Sequence, residues 1–136
     1  MQKYIKKGLL LLLDFEKAFD SISWKFLKNC LEFFRFSQEM INKIMLCYKN
    51  GKCTVNENSK ISKWFDNRRG CRQGDPLSPY LFVICAEILS LMLKQHKKIK
   101  GYQVDGVEVL ISQYADDTSL FLDGSEESFA YCVTLY

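Results

Sequence analysis

Three aspartates carry the chemistry most legible in this chain. Asp116 and Asp117 stand side by side in Tyr114-Ala115-Asp116-Asp117, between the apolar runs Val109-Leu110-Ile111 and Leu120-Phe121-Leu122. Apolar runs bounded by polar residues read as strands, so the pair falls at a strand–turn–strand tip. Adjacent carboxylates repel unless a cation lies between them. Asp14 closes another apolar run, residues 9–13, and so also sits at a strand end. If these ends are neighbours in one sheet, Asp14, Asp116 and Asp117 can bind two Mg²⁺ ions roughly 3.5–4 Å apart, an arrangement suited to in-line attack at phosphorus. Magnesium takes hard oxygen ligands and keeps waters, so a few aspartates plus substrate phosphates suffice. A lone Asp-Asp pair is most often a solvated turn; Asp14 is what adds weight to this one.

A second constellation is Arg68-Arg69-Gly70-Cys71-Arg72-Gln73-Gly74. Arginine holds phosphate bidentately, glycine admits close backbone approach, and glutamine both donates and accepts. By itself such a stretch is more often an exposed basic loop. It is no P-loop, because no Gly-Lys-Ser/Thr follows. Phe19, five residues after Asp14, is placed either to wall one side of a nucleotide sugar or to staple the entry of the next helix. The lysines of 94–100 read as a solvated helix end, with phosphate contact the lesser reading.

The elements that must position these residues follow from the hydrophobic pattern. Residues 8–13 are apolar on both faces and predict a central strand of a covered sheet. Trp24, Phe26, Leu27, Cys30, Leu31 and Phe34 recur at helical spacing, with Ser21 or Ser23 as cap. Ser37 opens a second helix, which Gly51 ends. Residues 53–55 and 63–65 predict a hairpin around the polar 56–60 loop. Ser78 as cap and Pro79 in the first turn start a long helix whose apolar surface predicts a buried spine. Asp105-Gly106 marks a two-residue hairpin turn, and Ser125 with Glu126-Glu127 opens a final helix that reaches Tyr136. The order of elements predicts one α+β domain, a mainly antiparallel sheet with helices packed on one face.

Composition narrows the class without naming it. The chain has 136 residues, 48% hydrophobic and 26% charged, with a net charge of +3 that permits a polyanionic partner. Six cysteines without a Cys-x-x-Cys pair, and a lone His96, argue against zinc and for small core residues in a reducing compartment. Lys3, Lys6 and Lys7 before a leucine run imitate a signal peptide, but Asp14, Glu16 and Lys17 follow too soon. An intracellular location, nucleus or cytoplasm, with no membrane span is the expectation.

Taken in order, the segments Leu12 to Ile22, Gly70 to Pro79 and Tyr114 to Asp117 resemble the motifs of the reverse transcriptase palm, most closely that of non-LTR (LINE-type) retrotransposons. The resemblance implies a partial reverse transcriptase domain over 1–136, with motifs at 9–22, 70–79 and 111–122. Its fold would be a polymerase-type palm, incomplete in lacking the fingers that precede the first motif and the thumb that follows the third. Asp14, Asp116 and Asp117 take the catalytic, metal-binding positions, with two Mg²⁺ ions as cofactor or Mn²⁺ in their place. Phe15, Phe19, Arg72, Gln73 and Gly74 take the nucleotide-binding positions, Phe19 as the aromatic gate against a ribose 2′-OH. Asp75 stands where relatives often carry another residue. Partners would be an RNA template, a DNA primer and deoxynucleoside triphosphates. The alternative is a non-catalytic, truncated retrotransposon remnant that at most binds nucleic acid. Another two-metal nucleotidyltransferase or cyclase on such a palm would lack the Arg72 to Pro79 signature.

Overall fold

A computed structural model of the protein describes residues 7–135. The lysines expected to flank the first strand at Lys3 and Lys6, and the helix end expected at Tyr136, lie outside the described residues. The chain falls into two compact units, one of residues 1–16 with 86–136 and one of residues 17–85.

The first unit is built on a three-stranded antiparallel sheet. Strand β1 (Leu9–Asp14) pairs with β9 (Asp117–Leu122), which pairs in turn with β8 (Ile111–Tyr114). The register sets Leu9 opposite Leu122, Leu11 opposite Leu120 and Asp14 opposite Asp117. One face of this sheet meets a core of Leu93, Ile99, Leu110, Leu120, Leu122 and Cys132, against which Leu9, Leu11 and Leu13 pack. That core draws on the last turns of α4 (Ser78–Gln95) and on α5 (Glu126–Leu135), so helices cover one sheet face.

The all-leucine β1 is therefore not the central strand expected of it. It lies at the sheet edge, and β9 is central. Its alternate residues Leu10 and Leu12 point away from the core, Leu12 with 73% of its surface exposed. An antiparallel sheet needs one covered face only, so an apolar run does not by itself demand cover on both.

A second hairpin, β6 (Tyr102–Val104) and β7 (Val107–Val109), turns at Asp105-Gly106 with φ of 48° and 84°, the left-handed pair that a two-residue turn requires. Helix α5 is capped by Ser125, whose Oγ accepts from the Ser128 N–H at 3.2 Å. Ser128 itself is fully buried, and its Oγ donates to Lys98 O and accepts from the Lys100 N–H. Within the expected lysine-rich helix end, Lys98 donates to the Tyr131 hydroxyl at 2.8 Å and pairs with Glu127 at 3.4 Å, so part of it is structural.

The second unit begins with a short helix, α1 (Ala18–Ser21), and two longer ones, α2 (Trp24–Phe33) and α3 (Gln38–Tyr48). Ser23 caps α2, accepting from the Phe26 N–H, and Ser37 caps α3, accepting from the Met40 N–H. Leu27, Cys30 and Leu31 of α2 and Ile41, Ile44 and Tyr48 of α3 are buried, the amphipathic faces anticipated by their spacing. The expected hairpin is two short ladders, β2 (Lys52–Cys53) with β5 (Phe65–Asp66) and β3 (Asn56–Glu57) with β4 (Lys60–Ile61). The polar 56–60 segment is thus not an open loop but contains its own turn, Asn58 and Ser59, both at positive φ.

Helix α4 differs from the buried spine expected. Only 33% of it is buried, through Ser78, Leu81, Phe82, Cys85, Ser90 and Leu93, while Tyr80 and Val83 lie bare. By length and composition α4 is apolar enough to cross a membrane, and it alone among the described residues, but a core helix with one uncovered face passes the same test. Nor does Ser78 cap it. The Asp75 carboxylate accepts from the Leu77 N–H at 2.9 Å, Leu77 O takes the first helical bond from Leu81, and the Ser78 hydroxyl is buried without a partner.

Candidate active site

In the first unit, three acidic residues share one end of the sheet. Asp14 is the last residue of β1 and Asp117 the first of β9, directly opposite in register. Residues so paired project to the same face with Cβ atoms about 4.5–5.5 Å apart. Both are exposed, on the face opposite the core. Tyr114 lies across the other edge of β9, also opposite Asp117, and is 84% exposed. Asp116 is half-buried in the two-residue turn, after Ala115 at φ 53°. A non-glycine residue in that region costs roughly 1–2 kcal/mol, so the tight turn is held by the strands on either side. No lysine or arginine forms an ion pair with any of the three aspartates among the described residues.

The donors are of the right kind for a hard divalent ion: exposed carboxylates, like-charged, on adjacent strands. Asp14 and Asp117 are brought together as the sequence suggested, whereas Asp116 stands one step round the turn. Among the described residues no three His, Cys, Asp or Glu side chains gather into a complete ligand set. The residues thus fit magnesium in its usual form, held by one or two carboxylates with water and substrate phosphates completing the shell. Phe15, the next residue after β1, is half-buried and engaged by its surroundings.

The second unit holds the other sequence-predicted residues and stitches two of the motif segments together. Gly70 N–H donates to Ile22 O at 2.7 Å and Cys71 N–H to Phe19 O at 2.8 Å. The Trp24 indole N–H donates to Gly70 O at 3.0 Å. Gly70 is at φ 90°, and a Cβ there would stand 2.9 Å from Asp20 Cα, so this crossing admits glycine alone. Gln73 reaches back over the same crossing, its amide nitrogen 3.5 Å from the Asp20 carboxylate. Phe19, half-buried, stacks on the buried Phe82. Arg72, Gln73 and Gly74 are exposed, and Gly74, at φ 82°, has open space where a Cβ would be.

Cys71, in the middle of this loop, is inert packing. Burial pushes its thiol up, as it does those of Cys30, Cys85 and Cys132, which removes the thiolate that reactivity needs. Cys47 and Cys53 depart from the expectation of core cysteines, since both are exposed. Burial also raises the Tyr48 hydroxyl, which lies near Ser78 and Cys71 yet outside hydrogen-bonding geometry. The sequence did not single out Trp24, Asp20 and Phe82 as partners of Gly70, Gln73 and Phe19. The available signal was the indole N–H of Trp24, which on a half-buried ring needs an acceptor.

Comparison with known proteins meets this geometry from outside. Residues 1–135 match the family described as reverse transcriptase (RNA-dependent DNA polymerase). The chain is 32% identical over 121 residues, 88% of its length, to the "Retrovirus-related Pol polyprotein from type-1 retrotransposable element R2" of Nasonia vitripennis, and covers 12% of that protein. It is 30% identical over 108 residues, 79% of its length, to the "Transposon TX1 uncharacterized 149 kDa protein" of Xenopus laevis, covering 8% of it. The type-2 R2DM polyprotein of Drosophila melanogaster is 28% identical over 121 residues, with 89% of this chain and 11% of that protein covered. The chain thus spans about a tenth of the length of these three relatives. With 135 consecutive residues fitting one family, and with polyproteins of non-LTR elements as its relatives, this chain belongs to the reverse transcriptases, in the LINE-type branch.

Proposed function

We propose that the chain is the palm portion of an RNA-directed DNA polymerase, joining deoxynucleotides to a primer 3′-OH on an RNA template. The observation that carries this is Asp14 directly opposite Asp117 across the β1–β9 ladder, with Asp116 in the adjoining turn. Asp14, Asp116 and Asp117 would hold divalent metal, two Mg²⁺ ions or Mn²⁺ in their place. When bound, such ions neutralise triphosphate charge and lower the pKa of the attacking hydroxyl. The three carboxylates then act as fixed anions that position, and the exposed ladder end leaves the space above them open to substrate.

Phe19 offers an aromatic wall for the sugar, with Phe82 behind it, and so favours deoxyribose over ribose. Arg72 supplies a guanidinium for phosphate, and Gln73 and Gly74 line the nucleotide and template pocket, Gly74 leaving backbone bare for close approach. Phe15 belongs to the same nucleotide-binding set.

Primer extension tests this. The purified chain is incubated with an annealed RNA template and DNA primer, Mg²⁺ and deoxynucleotides, beside an Asp116→Ala variant. Template-dependent extension that the variant lacks is the expected result. Extension no greater than the variant's leaves the second reading, a non-catalytic remnant that at most binds nucleic acid.

A further inference from the structure

The hairpin between α3 and the Arg68–Gly74 loop is built unlike the rest of its unit. From Lys52 to Asp66 no side chain is buried, and Thr54 alone is half-buried. Polar bonds hold it instead of a core. Thr54 Oγ1 donates to Ser62 O at 3.0 Å, and Val55 N–H donates to Ser62 Oγ at 2.9 Å. That clasp leaves apolar side chains bare, among them Trp64 with 66% of its surface exposed and Phe65 with 51%. Two-stranded hairpins are marginal in water, and bare rings forgo the gain that burial brings. Exposed rings on a coreless element mark a contact surface.

Charge identifies the partner. Residues 52–69 hold five cations, Lys52, Lys60, Lys63, Arg68 and Arg69, against two anions, Glu57 and Asp66, a surplus of three. The net charge of the whole chain is +3, so the remainder sums to zero, the cluster Lys94, Lys97, Lys98 and Lys100 being offset by acids elsewhere. None of the five takes part in an ion pair among the described residues. We infer that the Lys52–Asp66 hairpin with Arg68-Arg69 grips single-stranded nucleic acid, phosphates meeting the cations and bases stacking on Trp64 and Phe65. Such strands are the partners that offer dense negative charge and apolar faces together. A second copy of the chain would set the same five cations against themselves. A lipid surface would want the rings at the tip, whereas the tip is Asn58-Ser59 and Phe65 pairs with Cys53 near the base. The inference goes beyond the polymerase proposal, because binding needs neither metal nor turnover.

Fluorescence anisotropy of a labelled oligo(U) strand with the 136-residue chain, across a salt series without divalent metal, is the test. The double variant Trp64→Ala, Phe65→Ala binds roughly fivefold or more weakly per ring, with the salt slope unchanged. Lys60→Ala with Lys63→Ala lowers the slope of log K against log salt by about 0.7 per lysine. Lys94→Ala with Lys97→Ala, at the end of α4, leaves affinity and slope as they were. No buried side chain is removed in any of these, and circular dichroism checks that each stays folded. Independently of substitution, a 4-thiouridine strand photocrosslinks within residues 52–69 when the adduct is mapped by mass spectrometry. The inference is overturned by absence of binding, by full affinity in the aromatic double variant, or by crosslinks that map elsewhere. Equal loss from the α4 lysines overturns it too, as does Trp64-dependent binding to phosphatidylserine vesicles but not to oligo(U).

Discussion

The ring of Phe19 lies on the ring of Phe82, centroids 4.4 Å apart and planes 18° from parallel. Phe82 is buried and Phe19 half-buried, so one ring braces the other and leaves its outer side free. A double-mutant cycle of Phe19→Ala and Phe82→Ala should return a coupling of about 1 kcal/mol in denaturant unfolding, the range for stacked aromatic pairs. Phe82→Ala alone should cost about 3 kcal/mol, as a buried phenylalanine does, and Phe19→Ala less. In the primer-extension assay, Phe19→Ala should also raise ribonucleotide incorporation. Unchanged sugar selectivity there would reduce Phe19 to a packing residue.

Of the glycines in the second unit, Gly70 is met most closely by other backbone, with a Cβ position 2.9 Å from Asp20 Cα. Gly70→Ala meets two penalties, a strained φ of 90° and a clash with backbone that cannot rotate away. A loss of about 2–3 kcal/mol should follow, read from the midpoint of urea unfolding. Trp24→Phe keeps a ring but removes the donor to Gly70 O, and should cost about 1 kcal/mol. If Gly70→Ala unfolds at the wild-type midpoint, the stitching between residues 19–24 and 70–73 is not what holds this loop.

These two contacts also mark where reading the sequence stops. Local signals were legible: the caps Ser23, Ser37 and Ser125 and the Asp105-Gly106 turn stand as their chemistry suggested, because each depends on residues within a few positions. Non-local facts were not. That β1 is an edge strand depends on its pairing with β9 across most of the chain, and five leucines and an aspartate carry no record of it. That Ser78 is buried as the first helical residue rather than capping follows from Leu77 O taking the first helical bond from Leu81 N–H, one residue earlier than the serine's type suggests. Of the candidate site, the aspartates were visible by type and position. Trp24 and Phe82 looked like ordinary helix-face residues until their partners were known.

Acid should loosen the start of α5. Asp123 Oδ1 accepts from the Ser125 N–H at 3.0 Å and from its hydroxyl at 2.7 Å. Burial alone would raise this carboxyl, but the Ser125 hydrogen bonds outweigh it and hold the folded value below the ordinary 3.8. A depressed folded pKa means that the contribution is complete above the unfolded value and is lost as pH falls through the folded one. Thermal melts from neutral pH down through the carboxylate range should therefore fall more steeply for wild type than for Asp123→Asn. The asparagine keeps an acceptor and cannot titrate. Parallel curves would show that the cap does not sense pH.

Asp14 and Asp117 set a sharper test, because their repulsion and their proposed use have opposite signs. Like charges directly opposite on adjacent strands destabilise by roughly 0.2–1 kcal/mol. Asp117→Asn should therefore stabilise the metal-free chain by about that much, even as it removes a proposed ligand. Added Mg²⁺ should reverse the order. A site that binds only the folded chain contributes about 1.4 kcal/mol at ten times its dissociation constant. Wild type should gain this in urea unfolding and Asp117→Asn should not, with NaCl at matched ionic strength as the control for screening. If Mg²⁺ raises both proteins alike, or NaCl does the same as Mg²⁺, the carboxylates are only a repelling pair relieved by salt. A gain confined to wild type would instead make the opposed carboxylates of β1 and β9 a metal site in this chain, whether or not the chain polymerises by itself.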